Sequence, residues 1–216
     1  MKRVFMGSLA LPAAGLRAWA LCAVALVAAA SAQAANVQVQ VQVQDASGKP
    51  IEGAVVFLES EQARRQVQPV LGLEMAQDKK QFVPQVLVVP VGSEVRFPNR
   101  DTVRHHVYSF SPAKKFELKL YAGTPTQPVR FDQPGVVVLG CNIHDQMVAW
   151  MLVLDTPYYA QSNATGQVQL SAVPTGSYRL RTWHSVLPGG APALDQALDV
   201  TAAGAKVTVR LTGLTP

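Results

Sequence analysis

Charge, aromatic side chains and cysteine are all scarce in this chain. Charged residues make up 15% of its 216 positions and aromatics 7%, and cysteine occurs only at Cys22 and Cys141. Low charge beside 49% hydrophobic residues excludes a solvated, disordered chain. The formal charge of +5 overstates the basicity, because Lys2, Arg3 and Arg17 fall in a segment expected to be removed. Without residues 1–34 the chain has 16 basic and 14 acidic side chains, a net of +2 over 182 residues. No basic stripe remains to track a phosphate backbone, so nucleic acid is excluded as a partner. A Gly-x-Ser-x-Gly elbow, a phosphate loop and a dinucleotide fingerprint are also missing, which argues against an enzyme with its own substrate.

Long apolar runs are missing too, with one short exception. AWALCAVALVAAA (18–30) follows a basic start and precedes SAQAA, where Ala32 and Ala34 form an A-x-A site. Its 13 residues fall short of the about 17–25 a membrane span needs. Residues 1–34 therefore read as a secretory signal peptide. The remaining chain is expected to be periplasmic or secreted, without stable membrane insertion. Cleavage leaves Cys141 as the sole cysteine, so no internal disulfide is possible, and an oxidising compartment does not spare an exposed free thiol. Such a thiol is buried, paired between chains or held by a metal.

What is abundant is turn and strand. Gly and Pro occupy 15 positions each, which favours a turn-rich all-β protein. VQVQVQVQ (37–44) alternates with period two, and AVVFLES (54–60) returns after the turn DASGKP. EQARRQVQPVLGLE (61–74) reads as a connection. Strands resume with QVLVVP (85–90), SEVRFPN (93–99) and HVYSF (106–110). SPAKKFELKLYAGTPTQP (111–128) reads as a long excursion between strands. VRFDQPGVVVLGC (129–141) holds two strands, and VAWMLVLD (148–155) another. Four short segments follow (167–173, 177–184, 193–200 and 205–211), of which ALDQALDV is also compatible with a helix. Residues 36–62 supply too few strands for a stable sheet, and 156–213 leave unpaired edges. Together they are expected to form one split sandwich interrupted by a domain at 67–155, with a tandem arrangement as the alternative.

The chemistry concentrates in two segments. Residues 141–147 read Cys-Asn-Ile-His-Asp-Gln-Met, setting thiolate, imidazole and thioether three residues apart in one loop. Upstream, NRDTVRHHV (99–107) places His105 and His106 at a strand start. Soft sulfur donors with two imidazoles suit copper. Zinc on Cys141, His144 and His105 or His106 is the alternative, weakened by the methionine. Met151 is a second candidate thioether, better suited to core packing. His184 reads as a surface or interface histidine. Asp101, Glu117, Asp132 and Asp145 read as solvated turn residues.

NRDTVRHHV and CNIHDQM, set on a β-sandwich pattern, resemble the blue (type 1) copper proteins, the cupredoxins of the plastocyanin–amicyanin type. The resemblance implies a Greek-key β-sandwich holding one copper ion, Cu(I) or Cu(II), on His105, Cys141, His144 and Met147. Two positions depart from the family pattern. His106 stands where Asn or Thr is usual, and strand alternation points it away from the metal. Ile143 stands where Pro is usual, and keeps an amide able to bond the thiolate. GKPIEGAVVFLE and LSAVPTGSYRLRTWH resemble transthyretin-like, carboxypeptidase-regulatory β-sandwiches, which implies a docking module. The whole is similar to periplasmic methylamine-utilisation-like proteins. The implied function is one-electron transport to an unidentified redox partner protein, not enzymatic. Copper delivery or buffering is one alternative, and a structural adaptor with a loop-stapling metal site is another.

Overall fold

The computed structural model describes residues 36–188 and 191–214. The expected signal peptide lies outside the described residues. Seventeen strands and a single four-residue helix make up the regular structure of the described part. No helix among the described residues is long and apolar enough to cross a membrane.

The chain opens with β1 (Asn36–Asp45) and β2 (Val55–Glu59), followed by helix α1 (Glu61–Arg64). The Ser60 side chain caps α1 by accepting the Ala63 amide. Next come β3 (Leu73–Glu74), β4 (Ala76–Asp78), β5 (Gln81–Val83), β6 (Val86–Pro90), β7 (Ser93–Arg96), β8 (His105–Ser111) and β9 (Lys114–Tyr121). β10 (Val129–Phe131), β11 (Gly135–Gly140) and β12 (Val148–Leu154) complete the middle of the chain. The last five are β13 (Tyr159–Gln161), β14 (Gln167–Pro174), β15 (Gly176–Trp183), β16 (Leu194–Val200) and β17 (Ala205–Leu211).

Two layered cores result. The first lies between sheet β14-β1-β17 and sheet β13-β2-β15-β16. β1 pairs antiparallel with β14 and parallel with β17. Its alternation puts Val39, Val41 and Val43 into the core and leaves the glutamines on the outer face. The second lies between sheet β6-β12-β11-β8-β9 and sheet β10-β7-β3, around Phe97, Val107, Phe131, Val137, Leu139 and Met151. The expectation of an all-β sandwich protein agrees with this architecture.

A third cluster lies where the two sandwiches meet: Val55, Phe57 and Trp183 against Leu152 and Leu154. β2 and β12 are therefore buried on both faces. Val56 and Leu58 point into the first core while Val55 and Phe57 point out to the contact. Met151 and Val153 face the second core while Leu152 and Leu154 face the contact. That explains why AVVFL and VAWMLVL read as unbroken apolar runs without alternation. Burying each such side chain contributes roughly 1.5–3 kcal/mol, so the contact holds the two sandwiches together.

Two sequence readings change. Residues 111–128 are not an excursion: β9 runs from Lys114 to Tyr121 and forms a hairpin with β8. Phe116 and Leu118 pack on the second core while Lys115, Glu117 and Lys119 face out, a period-two pattern that the reading as an excursion passed over. The connection 61–74 contains α1 and ends in β3. ALDQALDV is a strand as expected, β16, and pairing with β15 settles it against the helix that its composition also allows.

Two glycines are required by close approach. Gly166 and Gly204 both have positive φ, and an added Cβ would lie 2.3 Å from Val43 O and 2.4 Å from Gln38 O, respectively. Both carbonyls belong to β1. Gly48, also at positive φ, faces open space. Gly166→Ala and Gly204→Ala should each reduce unfolding stability by more than Gly48→Ala, which carries only the left-handed penalty of roughly 1–2 kcal/mol. Urea unfolding checks this; equal losses at all three positions would contradict it.

Candidate metal centre

Cys141 follows β11 directly, and β11 lies beside β8, with Gly140 opposite Tyr108. The first residue of β8 is His105. Adjacent strands thus bring together a thiol and an imidazole separated by 36 positions in sequence. The loop from Cys141 to Met147 folds back, its turn closed by the Met147 amide donating to His144 O at 2.9 Å. This returns the His144 ring to His105, with centroids 5.1 Å apart.

The ligand atoms of His105, Cys141 and His144 all lie within 4.8 Å of one another. Cys141 Sγ is 3.9 Å from His105 Nδ1. Metal bonds of about 2.3 Å to sulfur and about 2.0 Å to nitrogen reach across that separation. His105 is fully buried, Cys141 is a buried free thiol, and His144 is half-buried. His144 Nδ1 is buried with no hydrogen-bond partner. An unsatisfied buried nitrogen costs roughly 1–3 kcal/mol, a cost that coordination of a metal ion removes. One thiolate and two imidazole nitrogens form a donor set suited to copper or zinc. Met147 is buried in the same apolar cluster as Cys141. A thioether beside this set favours copper.

His105 is oriented from behind. Its Nε2 lies 2.7 Å from Asp101 Oδ2, so the proton resides on Nε2 and Nδ1 turns a lone pair toward Cys141. Asp101 also accepts the Lys79 amide at 2.7 Å and the Lys80 amide at 2.9 Å. Burial pushes the Asp101 carboxyl up, but the Lys80 amide, the His105 ring and the Lys79 amide outweigh it and hold it below the usual value. Asn99 fixes the same loop: its side chain accepts the Asp101 amide and donates to the Val103 and Tyr121 carbonyls. The Tyr121 hydroxyl lies 2.7 Å from Gln77 Oε1 and 2.8 Å from Phe97 O. Burial raises its pKa above the ordinary phenol value, and nearby Cys141 adds to the rise.

The reading of Asp101 as a solvated turn residue is therefore corrected. Its side chain is only 13% exposed and serves as the anchor of His105. The signal was the Asp-x3-His spacing, which carries meaning only once the Lys79–Lys80 turn closes over it. Glu117 and Asp132 are exposed and pair with His106 and Arg130. His106 turns away from the cluster: its Nε2 lies 2.9 Å from Glu117 Oε1, without the alignment of a hydrogen bond. Met151 is buried on β12, facing the same core from within the strand. The Ile143 amide makes no hydrogen bond to Cys141 Sγ, whose polar neighbour is His105 Nδ1. His184 Nε2 lies 2.9 Å from Glu52 O, in the other sandwich.

Solved structures similar to part of this chain are cupredoxins. A purple cupredoxin from Nitrosopumilus maritimus is 21% identical over 38% of this chain and all of its own, with a TM-score of 0.34. A reduced Cu(I) form of an amicyanin variant is 21% identical over 46% of this chain and 98% of its own, with a TM-score of 0.35. A Cu-containing nitrite reductase from Thermus scotoductus SA-01 is 23% identical over 44% of this chain, with a TM-score of 0.36. The match spans only 27% of that reductase. No protein-family model matches the chain, and no curated protein matches it in sequence.

Asp101→Asn should lower metal affinity about 10–100-fold, as loss of a ligand's orienting partner does. An amide offers one acceptor oxygen where three N–H groups converge. His106→Ala should leave affinity unchanged. Competition against a chelator measures both, and an unaltered Asp101→Asn affinity would remove the anchoring role.

Proposed function

We propose that this chain is an exported copper protein that carries single electrons, with His105, Cys141, His144 and Met147 as its ligands. The observation supporting it is the buried cluster of one thiol and two imidazoles, with His144 Nδ1 unpartnered. Copper bound there would supply a one-electron couple between Cu(I) and Cu(II). Cys141, only 3% exposed, keeps its sulfur away from solvent oxidants. Asp101 holds the His105 ring in one orientation, so this donor does not swing between oxidation states. His144 is half-buried, unlike the fully buried His105, so in this reading its ring offers the electron a way out to a redox partner protein. Four protein donors leave no open position for a substrate, which argues for a carrier over an enzyme. The basic, apolar leader with its A-x-A site supports a periplasmic or secreted location.

Two domains follow in this reading: a copper domain at 67–155 inserted into a sandwich made of 36–62 and 156–213. The two points where the chain crosses between cores are tied together, which favours an insertion. Arg64 Nε donates to Asp155 Oδ2 at 2.7 Å, and the Thr156 hydroxyl donates to Leu58 O at 2.6 Å. Deleting residues 1–62 should unfold the C-terminal strands yet leave a middle domain that still binds copper. If 156–213 remain protected from proteolysis on their own, the arrangement is tandem.

The copper-loaded protein should show intense visible absorption from thiolate-to-copper charge transfer, and Cys141→Ser should abolish it, because a hydroxyl is a harder donor than a thiolate. Reduction and reoxidation should recover the band with the metal retained. Release of the ion during one cycle would support delivery instead, and no band at all would support a structural site.

A further inference from the structure

β12 carries the metal-side core on one face; its other face opens onto a cavity of about 550 Å³ between the two sandwiches. The cavity is walled by Phe57 and Trp183 from one side and by Val136, Trp150 and Leu152 from the other. Its volume falls within the roughly 300–1,000 Å³ of small-molecule sites, which favour such boundaries. The Trp150 and Trp183 rings stand 6.4 Å apart and are tilted by 55°.

Arg181 is the cation on the cavity wall. Its Nη1 lies 3.3 Å from Glu59 Oε2 and 3.9 Å from Asp195 Oδ2. Its Nε is buried out of a ligand's reach and its guanidinium carbon stands 6.0 Å from the Phe57 ring centroid, whereas Nη2 has no hydrogen-bond partner among the described residues. Asp195 is also engaged by Arg179, so two guanidinium groups and two carboxylates cancel. The wall therefore offers unused N–H donors without net positive charge. An anionic ligand would lose its hydration beside Glu59 with no uncompensated cation in return. A neutral acceptor oxygen meets no such penalty.

We propose that this cavity is a binding site for a small, neutral, planar aromatic molecule bearing a carbonyl-type oxygen. The tryptophans pack against the ring, and the oxygen accepts from the Arg181 guanidinium. The inference does not depend on the electron-carrier reading.

The full chain, free of metal, is titrated with prodan, a neutral naphthalene ketone whose emission shifts to the blue in apolar surroundings. Saturable one-to-one binding is expected, with quenching of tryptophan emission by energy transfer. Arg181→Lys, which keeps the charge but removes the planar fork, should weaken binding at least fivefold. Val136→Phe should block it by filling the cavity. A thermal melt establishes that each variant is folded, and Arg181→Lys alone decides the matter if Val136→Phe is not. Phe110→Ala, which removes an exposed ring elsewhere on β8, should change nothing. The proposal is overturned if binding is absent or non-saturable, if Arg181→Lys binds as well as the parent, or if Phe110→Ala abolishes binding. It is also overturned if the anionic naphthalene sulfonate TNS binds more tightly than prodan at the same site.

Discussion

A thiol and two imidazoles are held within reach of one another in an apolar core, and this convergence constrains the surrounding structure. Each group is polar, and burying it without partners costs free energy. The protein limits that cost by giving His105 a carboxylate behind it and by turning His105 Nδ1 to the sulfur, while His144 Nδ1 stays buried without a partner. Asp101 in turn depends on two backbone amides from the Lys79–Lys80 turn, both residues having positive φ. Asn99 and Tyr121 then tie that loop to β9 and β4 through carbonyls and Gln77. A hydrogen-bond chain thus runs from the turn to the imidazole and fixes the orientation of the His105 ring.

β12 links this site to the rest of the molecule. It begins immediately after the loop that carries Cys141, His144 and Met147, and is then buried on both faces. Pairing with β11 and β6 fixes its position within the sheet, and Leu152 and Leu154 fix it against the first sandwich. The end of the ligand loop is thus anchored by packing on two sides. The other sandwich contributes no ligand to the cluster; its physical effect is to hold the strand on which the loop ends.

Much of this was legible in the sequence, for identifiable reasons. β1 was readable because one of its faces is wet, so valine and glutamine alternate strictly. The Cys141–Met147 loop was readable because its side chains have few shared uses apart from metal binding. β2 and β12 did not alternate, since both of their faces are buried, and their apolar runs fit a strand without revealing what covered the second face. β9 was legible by the same rule as β1, since Lys115, Glu117 and Lys119 alternate with Phe116 and Leu118, and reading 111–128 as an excursion overlooked it. Asp101 was misread because its role depends on the Lys79–Lys80 turn, which lies 21 and 22 positions away in sequence. Cross-chain closure of that kind leaves no local pattern.

One thiolate and two imidazoles of this cluster are proposed to hold copper in both oxidation states. X-ray absorption at the copper edge, recorded on the loaded protein before and after reduction, tests it most directly. The account predicts one short sulfur contact and two imidazole nitrogens in both spectra, with little change between them. Loss of the sulfur contact, or a change in the number of nitrogen neighbours on reduction, would contradict it.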